Sequence, residues 1–260
     1  MTTPSWRPET AGAITAARRA LDLTRSRQGA SDIRPKEGRD LVTATDVAVE
    51  DAVRAILSPF GAVIGEERGG EVPADGSPYW LVDPICGTRN FAAGIPLYCA
   101  NLALVENGRV TAAVAGDGST GDIHVAELGA GAWALRDGPD QRLTASDQSA
   151  IIVIEEGGCD GPRRERAARG TAAAIRADKW DMRALSTTLS LPYVAASRVA
   201  AYVVFQIPGL HAAAGSLLAA EAGAVVSDID GRPWTVGSDS IIAAASPGLH
   251  ADLLAIAAPP

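Results

Sequence analysis

The segment Trp80-Leu-Val-Asp-Pro-Ile-Cys-Gly-Thr-Arg-Asn-Phe91 constrains this chain more than any other. Trp80 to Val82 is a short apolar run that reads as a strand, and Asp83-Pro84 follows it at once. Gly87 and Thr88 then open a helix, whose free N–H groups can hold phosphate oxygens. Hard cations such as Mg²⁺ take carboxylate and carbonyl oxygens. Asp83 and the backbone carbonyl of Ile85, joined by Glu66 from the Gly65-Glu-Glu67 segment, make such an oxygen site.

The pattern around this segment changes period. Residues 8–28 read as a helix with Ile14, Ala17, Leu21 and Leu23 inward, and Ser31 to Arg39 as a polar loop. A second helix follows Thr45, with Asp46 in its first turn, where a carboxylate suits the helix dipole. Runs at 62–64, 80–82, 100–105, 110–114, 123–126 and 132–135 then read as strands of a mainly antiparallel sheet, with Asn107-Gly108 as a hairpin turn. The second half alternates. Strands are expected at 151–154, 201–205, 224–226 and 241–243, and helices at 162–175, 187–196, 211–222 and 249–257. Such alternation implies an α/β architecture of layered sheets covered by helices.

The 260 residues suit a single domain, 1–260, of two packed halves, 1–145 and 146–260. A net charge of -8 argues against nucleic acid or an anionic membrane as partner. No stretch of about 18 apolar residues suggests a membrane span. The N-terminus carries no apolar signal region, and Cys86, Cys99 and Cys159 form no disulfide or metal spacing, so a cytoplasmic location is expected.

Four segments converge: Asp40-Leu-Val-Thr-Ala-Thr-Asp46, Gly65-Glu-Glu67, Asp83-Pro-Ile-Cys-Gly-Thr88, and Gly209-Leu-His-Ala-Ala-Ala-Gly215 with Glu221-Ala-Gly223. In order and spacing they resemble the inositol monophosphatase family over nearly the whole chain. The resemblance implies an αβαβα sandwich like that of inositol monophosphatases and fructose-bisphosphatases, a homodimer, and hydrolysis of a small phosphate monoester. It assigns Glu66, Asp83 and the Ile85 carbonyl to a first metal that activates water together with Thr88. Asp46 matches a weaker third-metal ligand, and Gly87 and Thr88 face the phosphate.

Three positions depart from the family. Cys86 and His211 stand where it has the two aspartates that, with Asp83, hold the second metal. Val204 falls where inositol-specific members carry a carboxylate for sugar hydroxyls, so an apolar wall and a substrate other than inositol phosphate are expected. Several readings follow. The leading one is a phosphatase with an altered metal site, on one Mg²⁺ or with Zn²⁺ at Asp83/Cys86/His211, since thiolate and imidazole favour zinc. Another needs no metal. There Cys86, its pKa lowered by the helix it precedes, works with His211 in acyl transfer, elimination, isomerisation or cyclisation in a biosynthetic pathway. A third is a non-catalytic binding protein. The position six after Cys86 is Ala92 rather than arginine, which disfavours a phosphocysteine mechanism.

Other residues invite plainer readings. Cys99 reads as core and Cys159 as an incidental loop thiol. His124 and His250 read as surface or strand residues, Arg163-Arg-Glu-Arg166 as a solvated charge run, and Asp228-Ile-Asp-Gly231 as a turn. Glu67 is either a group behind the metal ligands or a surface residue.

Overall fold

The computed structural model describes residues 5–27, 33–35 and 41–258. Asp40, residues 1–4, Gln28 and most of the expected 31–39 loop lie outside them; within that loop, 33–35 is a strand. Helix α1 (Pro8–Arg27) opens on its proline and buries Ala13, Ile14, Ala17 and Leu21 along one stripe. Strands β1 (Ile33–Pro35) and β2 (Leu41–Thr43) form an antiparallel ribbon. Helix α2 (Ala44–Leu57) follows, with Asp46 in its first turn and Val49, Val53 and Leu57 inward.

A seven-stranded sheet comes next, its strands in chain order. They are β3 (Ala62–Gly65), β4 (Tyr79–Cys86), β5 (Cys99–Glu106), β6 (Arg109–Asp117), β7 (Ile123–Glu127), β8 (Gly131–Leu135) and β9 (Gln141–Arg142). Only the β3–β4 pair is parallel. The short helix α3 (Thr88–Ala92) links β4 to β5. Asn107 and Gly108 turn the β5–β6 hairpin with φ of 52° and 73°, matching the twist of the strands they join.

The second half contributes β10 (Ile151–Glu155), α4 (Gly161–Ala177), β11 (Asp181–Arg183), α5 (Ser190–Ala195), β12 (Ala201–Val204), α6 (Gly209–Glu221), β13 (Val225–Ser227), β14 (Ile241–Ala244) and α7 (Pro247–Ala257). Its five strands order as β11-β10-β12-β14-β13, parallel around β10 and antiparallel around β14.

Strand alternation sorts the side chains into layers. Trp80, Leu102 and Val114 face α1 and α2, packing with Ile14, Leu21, Val49 and Val53. Leu81, Ala103 and Ala113 face the other way, against Ala213, Leu217 and Leu218 of α6. On the far side of α5 and α6, Leu191, Val194, Ala212 and Ala219 meet Val153, Tyr202 and Val204. Ile152, Ile154, Val203 and Phe205 point outward to Ala167, Ala174, Leu249 and Leu253 of α4 and α7. The result is the expected αβαβα sandwich.

Two boundaries differ from the sequence reading in ways that matter. Strand β4 does not stop at Val82 but runs on to Cys86, with a register slip between Asp83 and Cys86. Pro84 has no N–H for a ladder, and a bulge is where a strand tolerates one. The helix expected over 187–196 begins only at Ser190. Thr187 bonds the backbone locally instead, its Oγ1 accepting from Leu189 N at 3.2 Å.

Candidate active site

The slip in β4 creates the site. Asp83 pairs in register with Asn101 and Cys86 with Cys99, so Pro84 and Ile85 lie in the slipped stretch between two anchored residues. Gly87 must then reverse the chain at φ 102°. A Cβ there would lie 2.9 Å from the Leu97 carbonyl oxygen and 3.1 Å from Thr187 Cβ, so only glycine fits. Thr88 follows, its Oγ1 3.0 Å from the Ile85 carbonyl and 3.2 Å from Asp46 Oδ1. The single hydroxyl proton is committed to that pair of acceptors.

Glu66 is placed from beneath. Its N–H donates to the Val82 carbonyl at 3.0 Å, tying the end of β3 to β4. The turn that carries it rests on Glu50 of α2, a fully buried carboxylate. Glu50 accepts from Glu67 N at 2.7 Å, Arg68 N at 3.0 Å and Arg54 Nη2 at 2.8 Å. Gly65 allows this approach, since a Cβ would stand 2.0 Å from Glu50 Oε1. Glu50 was missed in the sequence reading. Its signal was a carboxylate on the inward stripe of α2, four residues before Arg54. Glu67 lies behind the site through its backbone N–H.

Helix α6 brings His211 from the far end of the chain. Its Nδ1 lies 2.7 Å from Asp83 Oδ2 and 3.9 Å from Glu66 Oε2. Asp83, Cys86 and His211 each present one donor atom, all within 4.8 Å of one another. Asp83 is fully buried, and its Oδ1 has no hydrogen-bond partner. A buried carboxylate oxygen without a donor is costly unless a cation meets it. The donors are therefore right for a metal ion: carboxylates and a carbonyl on one side, thiol and imidazole on the other.

Cys86 is partly buried, and its Sγ accepts from Thr188 Oγ1 at 2.8 Å and Thr188 N at 3.2 Å. The neighbouring Cys99 thiol, burial and the Asp83 carboxylate together push the Cys86 thiol well above its ordinary range, against the opposing Thr188 hydroxyl bond. This corrects the expectation that the following helix lowers it. Helix α3 is only five residues long, and a carboxylate stands closer than any compensating cation.

Val204 does not stand apart as a pocket wall. It is 1% exposed in the middle of the sandwich, in the same apolar cluster as Tyr202, Leu189 and the partly buried Cys86. Cys99 is core, as expected, but also touches Asn101. Cys159 is buried rather than an incidental loop thiol, its Sγ donating to the Glu156 carbonyl at 2.6 Å. His250 is neither surface nor strand, since it lies on α7 with Nε2 2.8 Å from Ser227 Oγ. His124 is a buried strand residue. The Arg163–Arg166 run is solvated only in part: Arg164 and Glu165 are exposed as expected, but Arg163 bonds the Phe205 carbonyl and Asp239, Arg164 the Cys159 carbonyl, and Arg166 the Ile229 and Ala257 carbonyls and Asp230. Residues 228–231 form the expected turn, with Asp228 Oδ1 accepting from Asp230 N and Arg232 N.

Comparison with known proteins places the chain in a family. A sequence profile described as the inositol monophosphatase family matches residues 5–258. The chain is 36% identical over 231 residues to inositol-1-monophosphatase ImpA of Mycolicibacterium smegmatis, covering 85% of this chain and 81% of that protein. It is 33% identical over 255 residues to the Nus factor SuhB of Pseudomonas aeruginosa, covering 89% of each. The crystal structure of the extragenic suppressor protein suhB from Bartonella henselae superposes with a TM-score of 0.87 at 25% identity, covering 96% and 98% of the two chains.

Proposed function

Because this chain belongs to the inositol monophosphatase family, we propose that it is a divalent-metal-dependent phosphate monoester hydrolase with an altered second metal position, acting on a small molecule other than inositol phosphate. The observation that carries this is Asp83 Oδ1, a buried carboxylate oxygen without a hydrogen-bond partner among the described residues, on a side chain clustered with Cys86 and His211, with Glu66 Oε2 3.9 Å from His211 Nδ1. Glu66, Asp83 and the Ile85 carbonyl would hold one Mg²⁺, with Asp46 as a weaker ligand. Asp83, Cys86 and His211 would hold a softer ion, for which Zn²⁺ is the natural candidate. Cations at such positions neutralise phosphate charge, activate a water and stabilise the leaving oxygen.

The remaining roles fall to the chain itself. The Thr88 hydroxyl donates its hydrogen bond toward Asp46 and the Ile85 carbonyl, which leaves its lone pairs to accept a hydrogen bond from an attacking water and so orient it. Gly87 brings the backbone close to the phosphate. Position 204 offers no carboxylate for the hydroxyls of an inositol ring, and this absence, rather than an apolar pocket wall, supports a substrate other than inositol phosphate. Among the described residues no helix is long and apolar enough to cross a membrane. With a net charge of -8, the reading is of a cytoplasmic homodimer in small-molecule biosynthesis that does not bind nucleic acid.

A second reading has one observation in its favour. Asp83 holds the His211 imidazole at 2.7 Å, beside Cys86, as the orienting acid of a Cys–His pair would. The raised thiol pKa weighs against a free thiolate nucleophile. Phosphate release from a panel of monoesters separates the two. The hydrolase needs divalent metal and is abolished by Asp83→Asn. A turnover that survives a chelator but not Cys86→Ser belongs to the pair. If neither substitution affects the cellular role, the protein binds without catalysing.

A further inference from the structure

The Cys86 sulfur ends a chain of buried hydrogen bonds that runs in one direction. Cys99 directs its S–H to Asn101 Oδ1 at 3.6 Å, while its contacts to the Thr187 and Thr188 hydroxyls are longer, at 3.9 Å. The Asn101 amide is thereby oriented, and its Nδ2 donates to Thr188 Oγ1 at 2.8 Å. Having accepted there, the Thr188 hydroxyl has one proton left to give, and Cys86 Sγ lies 2.8 Å away. The Thr188 N–H adds a second donor at 3.2 Å. Thr187 braces the same residue, its Oγ1 donating to the Cys86 carbonyl at 2.9 Å. Asn101 and Thr188 are each 1% exposed and Cys99 is fully buried, so water does not scramble the order.

The Thr188 hydroxyl and N–H give the sulfur two donors that fix its place beside Asp83 and His211. With the Asp83 carboxylate so near, negative charge on the sulfur calls for a cation at that position. We propose that Thr188, oriented by Asn101, is the positioning residue that presents Cys86 as a thiolate donor to a soft divalent cation, Zn²⁺, at the Asp83–Cys86–His211 position. The proposal rests on reading those three residues as a metal position. On binding, the Cys86 S–H proton leaves to solvent and a sulfur lone pair forms the metal–sulfur bond. Hydrogen bonds behind a ligand orient it and tune its donor strength, and losing one costs roughly 10–100-fold in metal affinity.

Cobalt(II), a coloured substitute for zinc, tests this on the full-length, metal-stripped protein. The native chain should bind Co²⁺ with a near-ultraviolet thiolate-to-cobalt absorption, and Zn²⁺ should displace it. Thr188→Val keeps the backbone donor but removes the hydroxyl. It should weaken Co²⁺ binding about 10–100-fold and diminish the band, whereas Thr188→Ser should restore both. Should Thr188→Val not fold, Asn101→Leu, which removes only the orienting donor, should give a smaller loss of the same sign. Cys86→Asp should abolish the band while leaving a cobalt site, which locates the signal. Unchanged affinity and band in a folded Thr188→Val protein overturn the assignment. Native protein that binds cobalt without the band also overturns it, but leaves standing a Mg²⁺ phosphatase working through Glu66, Asp83 and Ile85.

Discussion

Glu50→Gln separates the support of the site from the site itself. The native carboxylate is fully buried and accepts from Glu67 N, Arg68 N and Arg54 Nη2. A glutamine of the same shape has one acceptor oxygen, and its amide must face at least one of those donors. Each charge-assisted bond lost costs about 1.5–3 kcal/mol. The Arg54 contribution is discounted because that side chain is 30% exposed. A total near 3 kcal/mol is expected, which for a chain of this size lowers the melting temperature by roughly 6–12 °C. Because the loosened turn carries Glu66, Mg²⁺ binding should weaken by about tenfold as well. Thermal melting gives the first quantity, and calorimetric Mg²⁺ titration well below the melting point gives the second. A lower melting temperature with unchanged Mg²⁺ affinity would show that Glu50 supports the fold and not the site. An unchanged melting temperature would mean that the buried Glu50 acceptor contributes nothing to stability.

Two further perturbations probe other links. Gly87→Ala places a Cβ against the Leu97 carbonyl and Thr187 at a φ of 102°, and should destabilise the protein by about 1–3 kcal/mol in a urea melt. It should also lower metal affinity, because Asp83 and Thr88 lie on either side of it. His124 makes stability depend on pH. Burial above all pushes it from 6.5 down to about 4, with Arg198 adding to the shift and Asp117 and Asp122 opposing it. The unfolded chain therefore binds the proton more readily than the folded one. Its contribution is complete above about pH 6.5 and is lost as pH falls toward 4, by roughly 3 kcal/mol in all. Denaturant melts across that range should show the loss in the native protein and a flatter profile in His124→Leu, and equal slopes would contradict it.

Much of the fold could be read in advance because it is carried by local pattern. The inward faces of α1 and α2, the Asn107-Gly108 turn and the paired hydrophobic strands each announce themselves within a few residues. Asp83, Gly87, Thr88 and Glu66 were legible for the same reason, being strung along strand ends. What could not be read is the support behind them. Thr188 meets Cys86 across 102 residues and Asn101 across 87. Threonine and asparagine in such places look like any turn or strand residue until the strands are paired. The direction of the Cys86 shift was misjudged in the same way. The following helix is visible in the sequence, whereas the opposing Cys99 and the closeness of Asp83 depend on the slip in β4.

Metal-dependent hydrolysis is measured as phosphate release by the purified protein, first stripped of metal and then resupplied with Mg²⁺ and Zn²⁺. Hydrolysis of some small monoester, though not inositol phosphate, should appear only with added divalent metal and disappear in Asp83→Asn. Full turnover in the presence of a chelator, lost on Cys86→Ser, would contradict it.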